Sequence, residues 1–290
     1  VAAGLFDEKT GLLLARKRGE LMAEASKLPG AMTAVSAERD VVANAVHGLD
    51  VVLANHNAPT QIVLSGATEA IERAEKALEQ KGLTAKRLSV ATAFHSPIVA
   101  GAVAPFRTHL DGVDVAPAKV PFFANATAAV YPSDPSAARA QLAEAVAKPV
   151  RFVEQVEAMY AAGARVFVEV GPDAVLTKLV ERCLEGRAHT AIAFDQKGKN
   201  GVVAFQSALG RLASLGLPVA FERFWSGEVM GEDPTTSAKP KFTVKLSGSN
   251  YGKPYPPKNP IARPPVRTPA APVVSAPAAP APALNGHANG

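Results

Sequence analysis

Residues 31–90 read AMTAVSAERDVVANAVHGLDVVLANHNAPTQIVLSGATEAIERAEKALEQKGLTAKRLSV, a stretch in which short apolar runs alternate with helix-like segments. Apolar runs bounded by turn residues predict strands, and apolar residues three or four positions apart predict helices. The predicted elements are, in chain order, a strand at 31–35, a helix at 37–47, strands at 51–54 and 61–65, a helix at 68–80 and a strand at 85–90. This βαββαβ order is that of a ferredoxin-like unit, so residues 30–96 are predicted to form a small inserted subdomain.

Strands and helices also alternate on both sides of this unit, in residues 1–29 and 97–218. Strands are predicted at 121–125, 165–170 and 190–194, with helical segments between them. Helical crossovers connect parallel strands, so this part is predicted to be a larger α/β subdomain with a mostly parallel sheet covered on both faces. The larger subdomain is therefore interrupted in sequence by the smaller one.

The character of the chain changes after residue 218. Residues 219–268 carry few helix signals and are predicted to be a linker region. Residues 269–290 are dominated by Pro and Ala, and such a segment buries too little apolar surface to offset the entropy of ordering. We therefore expect a semi-extended, disordered tether there.

Charge and composition exclude several classes of function. Seven of the 31 basic residues lie after Asp233, where no acidic residue occurs, so residues 1–233 hold 24 basic against 26 acidic side chains. The formal charge of +5 thus belongs to the tail, and nucleic acid binding is not predicted. No run of about 18 apolar residues predicts a membrane helix, so a cytoplasmic setting is expected. The single cysteine, Cys183, cannot form an internal disulfide and is predicted to be a packed core residue.

No motif for a metal or nucleotide site is present: the sequence has no Cys-x-x-Cys, no His-Glu-x-x-His and no Gly-x-x-x-x-Gly-Lys. The strongest candidate for chemistry is instead Ser89-Val90-Ala91-Thr92-Ala93-Phe94-His95-Ser96-Pro97, where a histidine follows an aromatic residue at the exit of a strand. An imidazole with a pKa near neutrality can take a proton from a hydroxyl and return it to a leaving group. His95 is therefore the candidate general base.

Three further segments occur in a suggestive order around His95: Lys17-Arg18-Gly19-Glu20-Leu21-Met22, Asn55-His56-Asn57-Ala58-Pro59-Thr60-Gln61, and Glu169-Val170-Gly171-Pro172. Together with the His95 motif they resemble the acyltransferase family that loads malonyl units onto acyl carrier proteins in fatty acid and polyketide synthases. The resemblance runs from residue 1 to about 219. It implies an α/β-hydrolase-like acyltransferase subdomain with an inserted ferredoxin-like subdomain.

The resemblance also implies roles for individual residues. His95 matches the catalytic base of the family, and Arg18 matches the arginine that binds the malonyl carboxylate. Phe94 corresponds to the aromatic residue that accompanies the use of malonyl rather than a branched unit, although Thr92 stands where malonyl-type polyketide enzymes have histidine. Asn55 and Asn57 lie in the loop that lines the acyl pocket, and Asn57 serves equally well as a turn residue.

In the family a backbone carbonyl, not a carboxylate, holds the second ring nitrogen of the base. The junction Lys148-Pro149-Val150 matches the segment concerned, which implies a carbonyl near Ala145 as the partner of His95. The implied catalytic set is a serine–histidine dyad.

The family nucleophile, a serine in a Gly-His-Ser-x-Gly turn, is expected a few residues ahead of Val1, so this chain alone is expected to be inactive. The implied substrate is malonyl-coenzyme A and the implied acceptor is the phosphopantetheine arm of an acyl carrier protein, with no bound cofactor. Carrier domains are expected downstream in the same polypeptide and a ketosynthase upstream. Two alternatives stay open: a non-catalytic fragment that docks a carrier protein, and an editing acyl hydrolase.

Overall fold

The computed structural model describes residues 1–25, 29–90 and 92–225. Its helices are α1 (Glu8–Ala25), α2 (Arg39–Ala45), α3 (Thr68–Gln80), α4 (Val103–Asp111), α5 (Pro135–Glu144), α6 (Phe152–Ala161), α7 (Val175–Cys183) and α8 (Gly201–Ser214). Its strands are β1 (Gly30–Val35), β2 (Val51–Ala58), β3 (Gln61–Ala67), β4 (Ala85–Arg87), β5 (Val150–Arg151), β6 (Val166–Glu169) and β7 (Thr190–Ala193). Two short 3₁₀ helices cover Pro97–Ala102 and Phe221–Trp225.

A five-stranded sheet has the order β4-β1-β3-β2-β5. The first four strands are antiparallel neighbours in the order of a ferredoxin-like sheet, as the βαββαβ pattern predicts. The fifth strand comes from the larger part of the chain: β5 pairs in parallel with β2, with Asn55 opposite Val150 and His56 opposite Arg151. This pairing joins the two parts of the molecule at one sheet edge.

The core of the ferredoxin-like part lies between this sheet and its helices. On α3 the fully buried Ile71, Ala74 and Leu78 recur three and four residues apart, so they form one face of the helix. They pack against Ile62 and Leu64 of β3, which are also fully buried. Burial of each large aliphatic side chain contributes about 1.5–3 kcal/mol, which fixes the helix on the sheet.

The larger part is also α/β, which confirms the predicted fold class. Its β6 and β7 pair in parallel from Val166 opposite Thr190 to Glu169 opposite Ala193. The strand predicted at 121–125 is wrong: Phe123 makes only an isolated bridge with Val130. The chain turns back at once there, since Ala128 has a φ of 55° and Ala124 donates its N–H to Ala129.

In the part of the chain that the structure describes, no helix is both long enough and apolar enough to span a bilayer. The predicted tether at 269–290, and the predicted linker beyond residue 225, lie outside the described residues.

Candidate active site

A tight turn at the start of the 3₁₀ helix carries His95. The Ser96 hydroxyl, in a residue 2% exposed, donates to the Ala93 carbonyl at 2.6 Å and accepts the Ile98 N–H at 3.3 Å. Between these bonds the backbone of His95 adopts a left-handed conformation with a φ of 56°. The residue is thus held in a conformation that costs about 1–3 kcal/mol for a non-glycine residue, as is common at functional sites.

Strand β1 supports this turn from behind. A Cβ on Gly30 would lie 2.6 Å from the backbone nitrogen of Ala93 and 2.7 Å from its Cβ. Ala93 is fully buried, so it is already packed against its neighbours and the methyl group would press on the turn. A glycine at position 30 is therefore what allows the residues just ahead of His95 to lie against the sheet.

A backbone carbonyl accepts a hydrogen bond from the His95 ring. Nδ1 of His95 lies 2.9 Å from the carbonyl oxygen of Lys148, so the expectation of a carbonyl near Ala145 is wrong by three residues. The pairing of β5 with β2 explains the difference, because Val150 is fixed opposite Asn55 and Lys148 lies two residues before it. Ala145 instead ends α5, with its N–H bonded to Gln141.

This bond fixes the tautomer of the imidazole. A carbonyl oxygen can only accept, so the proton resides on Nδ1 and the lone pair is on Nε2. Burial lowers the pKa of His95 below its ordinary value; the Lys148 carbonyl opposes this effect and the nearby Arg18 charge adds to it. The neutral, basic form therefore persists to a lower pH than in a free histidine.

Two cavities meet at His95 and Arg18, since both residues line both cavities. One has a volume of about 520 Å³ and lies between α1 and the segment before β5. The other, of about 700 Å³, opens toward β1, β2 and β3. A larger groove of about 1070 Å³ runs beside α1 and α4, but His95 does not line it.

Arg18 has an unusual position among the cations of α1. Its neighbours Arg16 and Lys17 both pair with Glu20, at 2.9 and 3.6 Å. Among the described residues Arg18 has no ion-pair partner, although its side chain borders both cavities. An unpaired guanidinium at such a place is suited to a ligand carboxylate, which it can hold with two parallel hydrogen bonds.

The larger of the two cavities has an apolar wall and an amide edge. Phe94, half-buried, packs against Met22 and Met32 at this wall. Asn55 and Asn57 line the same cavity. The Oδ1 atom of Asn55 is buried and has no hydrogen-bond partner among the residues that the structure describes. A buried acceptor without a partner is costly, so this site favours a ligand that can donate an N–H or O–H.

Sequence reasoning misassigned one contributor to the smaller cavity and missed another. Lys148 supplies its carbonyl, and Asn125 lines the wall next to it. The junction Lys148-Pro149-Val150 is recognisable in the sequence, but which carbonyl near it faces His95 is not, and Asn125 falls at the end of a predicted strand that does not form. Both positions depend on chain pairing between distant residues.

Two other sequence candidates have local structural roles. The Glu169 carboxylate accepts the N–H groups of Val175, Leu176 and Thr177 at the start of α7, at 2.7–3.1 Å. Burial raises the pKa of Glu169, but these hydrogen bonds lower it by more, so the pKa lies below its ordinary value. Burial raises the pKa of the Cys183 thiol to about 11, so it is a packed thiol rather than a thiolate nucleophile.

Comparison with known proteins identifies the family. The family model described as "Acyl transferase domain" matches residues 1–217. The chain belongs to this acyltransferase family. The region of the acyltransferase match thus holds both cavities, His95 and Arg18.

Among curated acyltransferase relatives, the polyketide biosynthesis protein ThaF of Burkholderia thailandensis is 36% identical over 212 residues, which cover 70% of this chain and 18% of ThaF. The malonyl CoA-acyl carrier protein transacylase of Bacillus subtilis is 36% identical over 192 residues, 63% of this chain and 60% of the enzyme. A polyunsaturated fatty acid synthase protein of Thraustochytrium sp. is 29% identical over 256 residues, 86% of this chain and 9% of that synthase protein. The chain therefore spans less than two thirds of the length of each of these relatives.

Solved acyltransferase structures share the fold. The acyltransferase domain from the second module of the salinomycin polyketide synthase superimposes with a TM-score of 0.70 at 28% identity, over 79% of this chain and 55% of that domain. The malonyl-transacylase in complex with the type II carrier protein AntF gives 0.65 at 28% identity, over 72% and 67% of the two chains.

Proposed function

We propose that this chain is the base-bearing and substrate-binding part of an acyltransferase that moves malonyl from coenzyme A to the phosphopantetheine thiol of an acyl carrier protein, in polyketide or fatty acid biosynthesis. The observation that carries the proposal is the bond from Nδ1 of His95 to the Lys148 carbonyl, which leaves Nε2 as a base at the junction of two cavities. The similarity to a malonyl transacylase and to a transacylase seen with its carrier protein supports this chemistry.

The proposed reaction passes through a seryl ester. A serine Oγ loses its proton to Nε2 of His95 and attacks the thioester carbonyl carbon of malonyl-coenzyme A. When the C–S bond breaks, the coenzyme A thiolate takes the proton from Nε2, and the malonyl group remains on the serine. The carrier thiol then gives its proton to Nε2 and attacks the ester carbonyl carbon. The C–Oγ bond breaks, the serine Oγ takes the proton from Nε2, and the new thioester is formed with His95 neutral again.

During each step His95 becomes positively charged, and the Lys148 carbonyl stabilises that imidazolium and its orientation. The serine is the one that the family resemblance places in a Gly-His-Ser-x-Gly turn ahead of Val1. Residues 1–290 on their own are accordingly proposed to be inactive, because the attacking oxygen is supplied by that turn.

Arg18 is proposed to select the malonyl group. Malonyl ends in a carboxylate, and the unpaired guanidinium beside His95 matches it in charge and shape. Phe94 is proposed to limit substitution at C2, because the ring packs directly before the base at the cavity wall. A phosphopantetheine arm carries two amide N–H groups, so one of them is the proposed donor for the buried Oδ1 of Asn55; Asn57 lines the same edge.

The proposed partners are acyl carrier domains downstream in the same polypeptide and a ketosynthase upstream, in a cytoplasmic protein. The large polyketide and polyunsaturated fatty acid proteins among the relatives support such an arrangement.

The test is single-turnover labelling of the polypeptide as its gene encodes it. Radiolabelled malonyl-coenzyme A is expected to leave one malonyl ester on a serine, and added carrier protein is expected to remove that label as malonyl-carrier thioester. His95→Ala should abolish both steps, whereas the matched control His47→Ala, at an exposed position outside both cavities, should leave them unchanged.

Each other outcome identifies a different function. Labelling followed by release of free malonate with no transfer would indicate a hydrolase. Carrier binding without any labelling would indicate a docking fragment, and either result would contradict the proposal.

A further inference from the structure

His56 and Glu154 form a partly buried pair next to the cavity that His95 lines. His56 lies on β2 between the cavity-lining Asn55 and Asn57, but its Nδ1 contacts Oε1 of Glu154 on α6 at 3.1 Å. The two side chains are 18% and 27% exposed, compared with 77% and 44% for the surface pair Arg16–Glu20. The pair is thus less screened by water than the ion pair on α1.

The pair connects β2 to the segment that supplies the His95 partner. Lys148, β5 and the first turn of α6 follow one another in sequence, and Glu154 lies in that first turn. The strand β5 is only two residues long, so its pairing with β2 rests on two register positions. The contact from His56 to Glu154 adds a side-chain hydrogen bond where α6 packs against β2, next to these two register positions.

His56 supplies a side-chain hydrogen bond to the Glu154 carboxylate. Within the described part of the chain its Oε2 atom is buried with no hydrogen-bond partner, and the Arg151 Nε lies 3.9 Å from Oε1. Burial raises the pKa of Glu154. The bond from His56 and the nearby positive charge oppose this effect and hold the pKa below its ordinary value. The carboxylate is therefore charged, and loss of the imidazole would remove its hydrogen bond to another side chain; among the described residues its own backbone N–H and the longer Arg151 contact would remain.

We propose that His56 and Glu154 are positioning residues for the base: their contact fixes residues 148–154 against β2 and so holds the Lys148 carbonyl on Nδ1 of His95. The inference rests on the proposed function, in which His95 is the base. Neither residue of the pair touches the reacting atoms.

The groups near His95 determine the direction in which its pKa should change when the His56–Glu154 contact is lost. Burial and the Arg18 charge on α1 lower its pKa, and the Lys148 carbonyl raises it. If the carbonyl moves away, the raising contribution is lost and the pKa of His95 falls further. The acid limb of the pH profile then shifts to lower pH, while the rate on the plateau falls because the imidazole is no longer held in one tautomer and orientation.

The test compares His56→Leu, which removes the hydrogen bond at similar volume, with His56→Asn, whose amide stands where Nδ1 stood. Both are made in the polypeptide as its gene encodes it. The first readout is the rate of malonyl-ester formation as a function of pH. The second is the rate at which diethyl pyrocarbonate modifies His95, followed by mass spectrometry over the same pH range, which needs no substrate.

For His56→Leu we expect a loss of about 10- to 100-fold in the plateau rate, as for other residues that orient a functional histidine. Both readouts should give a lower pKa for His95, and His56→Asn should restore both. Glu154→Met, which removes the contact from the other side, should shift the pKa in the same direction.

An unchanged His95 profile in His56→Leu would overturn the proposal, and so would a rate loss without a pKa shift, since that would show a purely structural contact. If the wild-type protein forms no malonyl ester, the proposed function fails, but the modification profile of His95 still decides whether the pair positions its ring.

Discussion

Replacing Gly30 by alanine should displace the turn that carries His95, the proposed base, without altering a residue that lines either cavity. The added Cβ would lie 2.6 Å from the backbone nitrogen of Ala93, whereas ordinary contacts begin at 3.4 Å, so one of the two segments must move by about 0.8 Å. Gly30 is held in β1 between β3 and β4, and Ala93 is fully buried, so the movement passes to the turn that carries His95.

The expected loss follows from that displacement. A misplacement of about 1 Å at a reacting group costs about 10²-fold in rate, and overpacking of a buried site costs about 1–3 kcal/mol of folding free energy. We therefore expect Gly30→Ala to slow malonyl-ester formation by about 10- to 100-fold, while a protein of ordinary stability remains folded.

The assay measures ester formation by rapid quench at saturating malonyl-coenzyme A, together with the urea midpoint of the same preparation. Gly210→Ala is the matched control, because a Cβ there meets no atom of the described residues within 4 Å and the residue lies in α8. Wild-type kinetics in a folded Gly30→Ala protein would refute the reasoning, since the turn would then tolerate the methyl group without moving His95.

Three further outcomes are expected. Arg18→Ala should lower transfer of malonyl by about 10- to 150-fold relative to acetyl, because a charge-assisted hydrogen bond contributes about 1.5–3 kcal/mol. Arg16→Ala on the same helix should lower the transfer of neither acyl group. Equal losses for both acyl groups in Arg18→Ala would show that Arg18 is structural. Phe94→Ser should shift the preference toward methylmalonyl by about 10- to 200-fold in a competition assay, and no shift would place the ring away from the acyl group. The acid limb of kcat/KM should lie below the ordinary pKa of histidine, because burial lowers the pKa of His95 and only its neutral form accepts the serine proton; a limb above pH 6.5 would contradict this.

Local sequence pattern predicts the ferredoxin-like part well, because the signals for each of its helices and strands lie within that element. The helix predicted at 68–80 has those bounds, since its apolar positions recur at helical spacing and it ends at Lys81-Gly82. The strand predicted at 51–54 extends to Ala58, because register shifts on both sides of Asn55 and His56 carry the pairing onward. Such bulges leave no mark in a hydrophobic pattern.

The sequence predicts the part of the candidate site that consists of side chains, but not the part that consists of backbone groups. His95, Phe94 and Arg18 are recognisable from their neighbours in sequence, and the structure brings all three to one cavity. Their chemical roles stay predictions. The partner of His95 is a backbone carbonyl, and the identity of the residue that offers it depends on how β5 pairs with β2, about ninety-five positions apart along the chain. Residue type says nothing about such a contact.

The left-handed backbone at His95 has a consequence for engineering. Glycine or asparagine would occupy a φ of 56° with less strain, so histidine, the proposed base, is not the residue that this backbone conformation favours. A variant library screened for thermal tolerance alone would therefore drift away from histidine at this position, whereas a screen for turnover would hold it. Each round of stabilisation should therefore also measure turnover. Otherwise the first gain in melting temperature at this turn would come from replacing His95, the proposed base.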